Sequence, residues 1–527
     1  MRLRGDRRGR QGAGARVIPF AAATTKAGRG AADMNSRGFR DWLAVARHSA
    51  ALALGGMLLV AGCTVADLER YSLSDKGGQT DEFTADLPPA QRREHERLVA
   101  NYGGIYRAPE LEALIKRTVD RLTAASENPQ LKYRVIILNS PAINAFALPG
   151  GSLYITRGLV ALANDTAELA SVLSHEMAHV VARHAAIRED QIRQAVIVSR
   201  VISDVLSDPD LGALALAKSR MSLAVFSRGQ ELEADAIGVG ISVRAGYDAY
   251  GASRFLTSMG RYAALRGNQT SQQAVERLDF LSSHPSTPER ISIAYSNARQ
   301  YTAPKDPERD RKEFLDAVDS LTYGDDPKEG YVRGRRFLHA NLGFTFSAPE
   351  GFTLENTPQA VLGATASGKE ALRLDAARVP AEQALSTYLA SGWIDGIEAQ
   401  SIETMTINGF PAATAVARGE QWSFRLFAIR FGSDVYRLAF AARSLTGTID
   451  TAFRSSAETF RRLPVEEARS ATPLKISVVR IGLRDTVERL AAKMAVPDRK
   501  LERFLILNGI ERDAKLKLGE RVKIVVE

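Results

Sequence analysis

The chain has 527 residues, room for roughly two to four domains, with a formal charge of +9 and a pI near 9.5. The positive excess lies at the start: residues 1–33 carry eight Lys or Arg against Asp6 and Asp33, and residues 34–62 add Arg37, Arg40 and Arg47 against Asp41. The remainder is nearly neutral, so the charge implies no nucleic-acid partner, and a single cysteine, Cys63, excludes an internal disulfide.

Residues 1–33 read as an over-long start or a disordered basic arm and stay outside the fold. Residues 34–62 have the order of a signal peptide: Met34, a basic stretch, the apolar run Ala51-Leu-Ala-Leu-Gly-Gly-Met-Leu-Leu-Val60, then small residues. That run falls short of the ~20 residues a membrane-crossing helix needs. Val60-Ala61-Gly62-Cys63 resembles a bacterial lipoprotein processing box, which implies cleavage before Cys63 and acylation of it. Thr64 rather than Asp follows, so in a Gram-negative host the resemblance implies sorting to the outer membrane, on its periplasmic face.

Residues 63–91 are polar and read as a lipidated tether. From Arg92 to Leu122 apolar residues recur with helical spacing, with Pro109 as a helix start. Tyr133 to Leu138 is a β-branched strand. Asn144 to Ile155 is a hairpin turning at Pro149-Gly150-Gly151, and Asn144, Ala145 and Phe146 are its candidate substrate-binding edge.

Val172 to His184 contains His175-Glu176-Met177-Ala178-His179, the H-E-x-x-H pattern, in a run without Gly or Pro. Side chains four apart on a helix sit one above the other, so His175 and His179 can offer two imidazoles to one ion. Glu176, one residue round, stands beside that ion rather than on it. This suits Zn²⁺ bound by nitrogen, with the carboxylate as general base. The flanking residues are apolar nearly all round, and buried imidazoles without a metal would be costly there.

Catalytic zinc commonly takes a third protein ligand. His184 lies nine residues after His175, on the opposite face of a continuous helix, and reads as structural. Glu231 and Asp235, four apart in Glu231-Leu-Glu-Ala-Asp235, share a face, whereas Glu233 points away. Glu231 is the expected third ligand, with Asp235 orienting a ligand histidine through its free N–H.

These pieces, with Asn144-Ala-Phe-Ala-Leu-Pro-Gly-Gly151, Thr156-Arg-Gly-Leu159 and Ser283-His-Pro-Ser-Thr-Pro-Glu-Arg290, resemble the zinc metallopeptidases that include HtpX, Oma and the periplasmic BepA-type proteases. The resemblance covers about residues 95–300 and implies a gluzincin with one Zn²⁺ per chain held by His175, His179 and Glu231. It further implies His284 as a fourth, inhibitory ligand and Arg290 as a stabiliser of the oxyanion.

Residues 301–335 are charged and Pro/Gly-rich and read as a linker with one short helix. From 336 to 465 alternating strands and two helices resemble PsbP- or Mog-like α+β modules. Residues 466–527 have a βααβ order whose Asp485-Thr486, Asn508-Gly509 and Leu516-Lys-Leu-Gly519 resemble LysM, with Arg484 where a glycine is usual. That resemblance implies peptidoglycan as a partner.

The expected fold is therefore multidomain α+β: a mainly helical zincin peptidase domain at 92–300 with a small edge sheet, an α+β domain, and a small LysM-like module. The expected function is zinc-dependent hydrolysis of misfolded or stalled envelope proteins by a membrane-anchored periplasmic endopeptidase. The alternative is a chaperone-like outer-membrane assembly factor whose zinc site is mostly autoinhibited.

Overall fold

The computed structural model describes residues 87–148, 150–206, 226–267, 284, 286–302 and 307–527. The signal peptide, Cys63, most of the tether and Pro149 of the hairpin turn lie outside the described residues. Among those residues no helix is long and apolar enough to cross a membrane.

Helix α1 (Pro89–Asn101) is followed by α2 (Pro109–Ala125), where Pro109 fills a first-turn position whose N–H would have no helical partner. Helix α2 turns Leu111, Leu114, Ile115, Val119 and Leu122 into the core. Strands β1 (Arg134–Leu138), β2 (Ala145–Leu148) and β3 (Ser152–Thr156) form a sheet in the order β1-β3-β2, with β1 parallel and β2 antiparallel to β3. β2 is thus an edge strand of this sheet.

Short α3 (Arg157–Leu162) leads into α4 (Thr166–Val181), capped by the Asp165 side chain, which accepts from Glu168 N at 2.8 Å. Every residue of α4 from Thr166 to His179 is buried, so this helix runs through the centre of the domain. Around it stand α5 (His184–Leu206), α6 (Arg228–Arg244), α7 (Gly251–Gly267) and α8 (Pro288–Ala298).

The stretch read as a linker is in large part domain core. Helix α9 (Pro307–Val318) buries Phe314, Leu315 and Val318 in the same apolar cluster as α2 and α4, and β4 (Thr322–Tyr323) pairs with a C-terminal strand. Charge and Pro/Gly content suggested solvent, but three apolar residues spaced three and four apart were enough to dock the helix.

Two sheets follow. One is a seven-stranded antiparallel sheet built mainly on long strands at Phe410–Arg418, Ser423–Phe431 and Asp434–Ala442. Alternation puts Phe427 and Ile429 on one face and Leu426 and Ala428 on the other, and each face has its own apolar core. The second has four strands and includes Arg336–His339 and Phe344–Ser347.

The C-terminal segment has strands at Leu474–Arg480 and Arg521–Val526 around helices Val487–Ala492 and Lys500–Asn508, the expected βααβ order. It is not a separate body: Ile476, Leu490, Phe504 and Val525 share one core with the peptidase helices. Lys523, fully buried, donates from Nζ to the carbonyls of Ala161 and Ala163, capping the C-terminus of α3. Residues 466–527, expected as a small module, bury one face in the apolar core that they share with α9 and the metal helix.

Candidate metal centre

His175 and His179 project from the same face of α4, with their Nε2 atoms 3.0 Å apart. Helix α6 brings Glu231 to them from its first turn, fixed by a capping box in which Ser227 and Gln230 satisfy each other's backbone N–H. Helix α6 crosses α4 closely because Gly238 lies against the backbone of His175; a Cβ there would stand 3.0 Å from His175 N. The Ser174 and Ser242 hydroxyls, 2.9 Å apart, pin the same crossing. Glu231 Oε2 is 3.6 Å from His175 Nε2, and its Oε1 is 3.5 Å from His179 Nε2.

A third imidazole completes the cluster. His284 Nδ1 lies 2.8 Å from Glu231 Oε1 and 3.3 Å from His175 Nε2. One donor atom each from His175, His179, Glu231 and His284, all buried, lie within 4.8 Å of one another. A tetrahedral zinc with bonds of about 2.0–2.1 Å would space its ligands by roughly 3.3 Å, and the distances above straddle that value. Burial pushes the pKa of all three imidazoles down, His284 to about 3, so each keeps a ligating lone pair. Donor type, spacing and protonation state all fit a zinc ion.

The outer ring of contacts sets which nitrogen faces inward. His175 Nδ1 sits 2.9 Å from Asp235 Oδ1, and His179 Nδ1 sits 2.9 Å from His184 Nδ1. Burial alone would raise the Asp235 pKa, but hydrogen bonds from Arg290 and His175 hold this carboxyl well below its usual range. Arg290 donates from Nε and Nη2 to Asp235 at 2.7 Å each, and its Nη1 lies 2.7 Å from Glu231 Oε2. Its guanidinium therefore braces two carboxylates of the site, an arrangement different from the oxyanion role implied by resemblance.

His184 departs from the sequence reading. Helix α4 ends at Val181, and Arg183 adopts a left-handed φ of +57°, so the chain turns before α5 begins at His184. A phase count along one continuous helix put His184 on the far side; the break returns it to the ligands. Its Nε2 then meets Glu233 Oε2 at 3.3 Å. Phe226 was also missed: its ring lies 4.1 Å from that of His179 and 5.2 Å from that of His284. The missed signal for His184 was the histidine just past a helix end, close to a ligand.

Glu176 is buried, with Oε1 3.8 Å from His284 Nε2, and it accepts a hydrogen bond from the backbone N–H of Ala147 on β2. Burial first, and Glu231 second, raise its pKa well above the ordinary carboxylate value. The edge strand thus touches the candidate base directly. Of the expected edge residues, Ala145 pairs with Ile155, Phe146 stacks on Tyr154 at 4.9 Å, and Asn144 donates to the Tyr102 hydroxyl at 2.6 Å. Asn144 therefore anchors the strand's entry and sits just outside the paired stretch.

Residues 109–297 match the model of peptidase family M48. The OMA1 mitochondrial metalloendopeptidase of Schizosaccharomyces pombe is 34% identical over 34% of this chain and 50% of its own length. The beta-barrel assembly-enhancing proteases of Yersinia pestis and Escherichia coli (strain K12) are 30% and 31% identical, over 36% and 34% of this chain and 40% and 37% of theirs. The chain thus spans half or less of the length of these relatives. Among solved structures it aligns with CyanoP of Synechocystis sp. PCC 6803 over 24% of its length and 91% of that protein, at TM-score 0.20 and 14% identity. The match, together with the buried cluster of His175, His179, Glu231 and His284, makes residues 109–297 a domain of peptidase family M48, a family of zinc metallopeptidases.

Proposed function

We propose that the chain is a zinc-dependent endopeptidase of the bacterial envelope, lipid-anchored at Cys63 on the periplasmic face of the outer membrane. Its substrates on this reading are misfolded or stalled envelope proteins. The observation that carries it is a buried carboxylate, Glu176, lying between a zinc-type donor cluster and an edge-strand backbone N–H. Two relatives named as beta-barrel assembly-enhancing proteases support the substrate class.

Bound zinc would supply Lewis acidity toward the peptide carbonyl and acidify the attacking water. The chain's residues do the rest. An extended substrate adds as a strand to the open side of β2, which holds its backbone next to Glu176. Glu176 accepts a proton from the water and passes it to the leaving amine. Asp235 and Arg290 keep His175 and Glu231 in place during this transfer.

A second reading is favoured by His284, whose Nδ1 stands among the ligands. In that state the site is closed and the protein acts chiefly by binding, as an assembly factor. Digestion of casein and an unfolded barrel protein by wild type, His284→Ala and Glu176→Gln separates the two. A gain of turnover in His284→Ala and loss in Glu176→Gln with zinc retained supports the protease. Binding without cleavage by both wild type and His284→Ala supports the factor. Peptidoglycan, implied by the LysM-like motif, is a further candidate partner; capture on purified murein sacculi tests it.

A further inference from the structure

Strand β2 has two unlike faces. Ala145 and Ala147 pack into the apolar core that holds the metal helix. Phe146 and Leu148, both half-buried, belong instead to a small cluster on the other side of the sheet, built on Tyr102, Ile136, Leu138 and Tyr154. The Phe146 ring is held in place there. It stacks on Tyr154 at 4.9 Å and meets Tyr102 at 5.7 Å, and the Tyr154 hydroxyl lies 2.9 Å from His95 Nδ1 on α1.

The backbone of β2 follows the same alternation. The carbonyls of Asn144 and Leu148 accept from Thr156 N at 2.9 Å and from Gly151 N at 3.2 Å, so residues 144, 146 and 148 turn their peptide groups toward β3. Those of Ala145 and Ala147 point the other way, where no strand of the described residues pairs with β2. The Ala147 N–H bears this out by donating to Glu176. The open side of β2 and the candidate base are therefore on the same side.

A substrate strand laid along that side inherits this order. Opposite Phe146 it forms a pair with no hydrogen bonds between the two residues, the kind in which side chains come closest. Residues two apart share a face, so those opposite Phe146 and Leu148 both rest on the apolar shelf. The residue between them, opposite Ala147, turns toward the metal helix. The two shelf contacts thus flank the peptide unit held at Glu176.

We propose that Phe146 and Leu148 determine the specificity of the site, selecting extended segments with large apolar side chains at two positions two apart. The proposal rests on the edge-strand reading of the site given above, and it deepens that reading by naming the pattern the strand selects.

Binding and cleavage are measured separately. The zinc-loaded full chain carrying Glu176→Gln is titrated with two fluorescein-labelled peptides, each with two leucines in a serine and threonine background, spaced two apart in one and adjacent in the other. The spaced peptide should bind roughly fivefold tighter, the worth of one good cross-strand pair. Adding Phe146→Ala should abolish the difference. Adding Leu148→Lys should reverse a preference, so that a spaced peptide with one leucine replaced by glutamate binds better than the original, a gain that a loosened fold would not produce. The proposal is overturned if the spaced and adjacent peptides bind alike, or if Leu148→Lys still prefers leucine over glutamate at both positions. Peptides that bind in the expected order yet stay intact with wild type and His284→Ala would support the shelf and remove the peptidase reading.

Discussion

His184 and His179 meet nitrogen to nitrogen, Nδ1 to Nδ1 at 2.9 Å, and this contact decides which face of His179 is offered to a metal. Glu233 accepts at His184 Nε2, which leaves His184 Nδ1 as acceptor and His179 Nδ1 as donor. His179 Nε2 then carries the lone pair. His184→Ala should lower zinc affinity by roughly 10–100-fold, measured by chelator competition, with the melting temperature of the metal-free protein little changed. His184→Asn, which can still accept, should recover part of the loss. Equal affinity in His184→Ala would show that the contact is incidental.

Arg290 offers a way to tell bracing from transition-state contact. Its three nitrogens reach Asp235 and Glu231, a fork that lysine cannot reproduce. Arg290→Lys should therefore lose metal affinity before it loses turnover per bound zinc. A variant with full zinc occupancy and a kcat reduced by orders of magnitude would restore the oxyanion role.

The close crossing of the two ligand-bearing helices depends on Gly238. A Cβ there would meet His175 N at 3.0 Å, His175 Cα at 3.1 Å and Ser174 C at 3.2 Å, all backbone atoms inside a buried helix. Gly238→Ala should therefore cost about 1–3 kcal/mol despite alanine's better helix propensity, and it should weaken zinc binding by moving Glu231 outward. Chemical denaturation with and without zinc measures both. A stabilised variant would mean that the helices part without strain.

Far from the metal, Glu329 is 6% exposed, and neither carboxylate oxygen finds a hydrogen-bond partner among the described residues. Burial, with Asp326 nearby, raises its pKa from 4.5 to about 7. A raised folded pKa means that the neutral form is preferred in the fold. Its contribution to stability is present below pH 4.5 and is lost as pH rises through about 7. Glu329→Gln should therefore change little at pH 5 and stabilise by about 1–3 kcal/mol at pH 8, read from melting curves. A stability gain independent of pH would contradict this.

Much of the site was legible because short-range geometry carried it. The four-residue spacings His175–His179 and Glu231–Asp235 each fix a shared helix face, and no tertiary information is needed for that. The hairpin from Asn144 to Ile155 was legible for the same reason, through alternation and its Pro-Gly-Gly turn. His184 was misplaced because a left-handed Arg183 has no reliable sequence mark, and one unseen break rotates everything after it. The linker reading of 301–335 failed because docking of a short amphipathic helix depends on what it meets.

The sequence alone determined the chemical kind of the centre: two imidazoles and a carboxylate offered on helix faces, with Glu176 beside them. Periodicity is a local property of the backbone, so those pairings follow wherever the helices lie. The resemblance implied His284, but only the tertiary structure brings its ring among the other donor atoms, sets Arg290 between two carboxylates, and has Lys523 of the C-terminal strand cap the helix leading into the metal site. Those outcomes hang on contacts between residues tens to hundreds of positions apart, which packing of the shared core sets and no local pattern encodes.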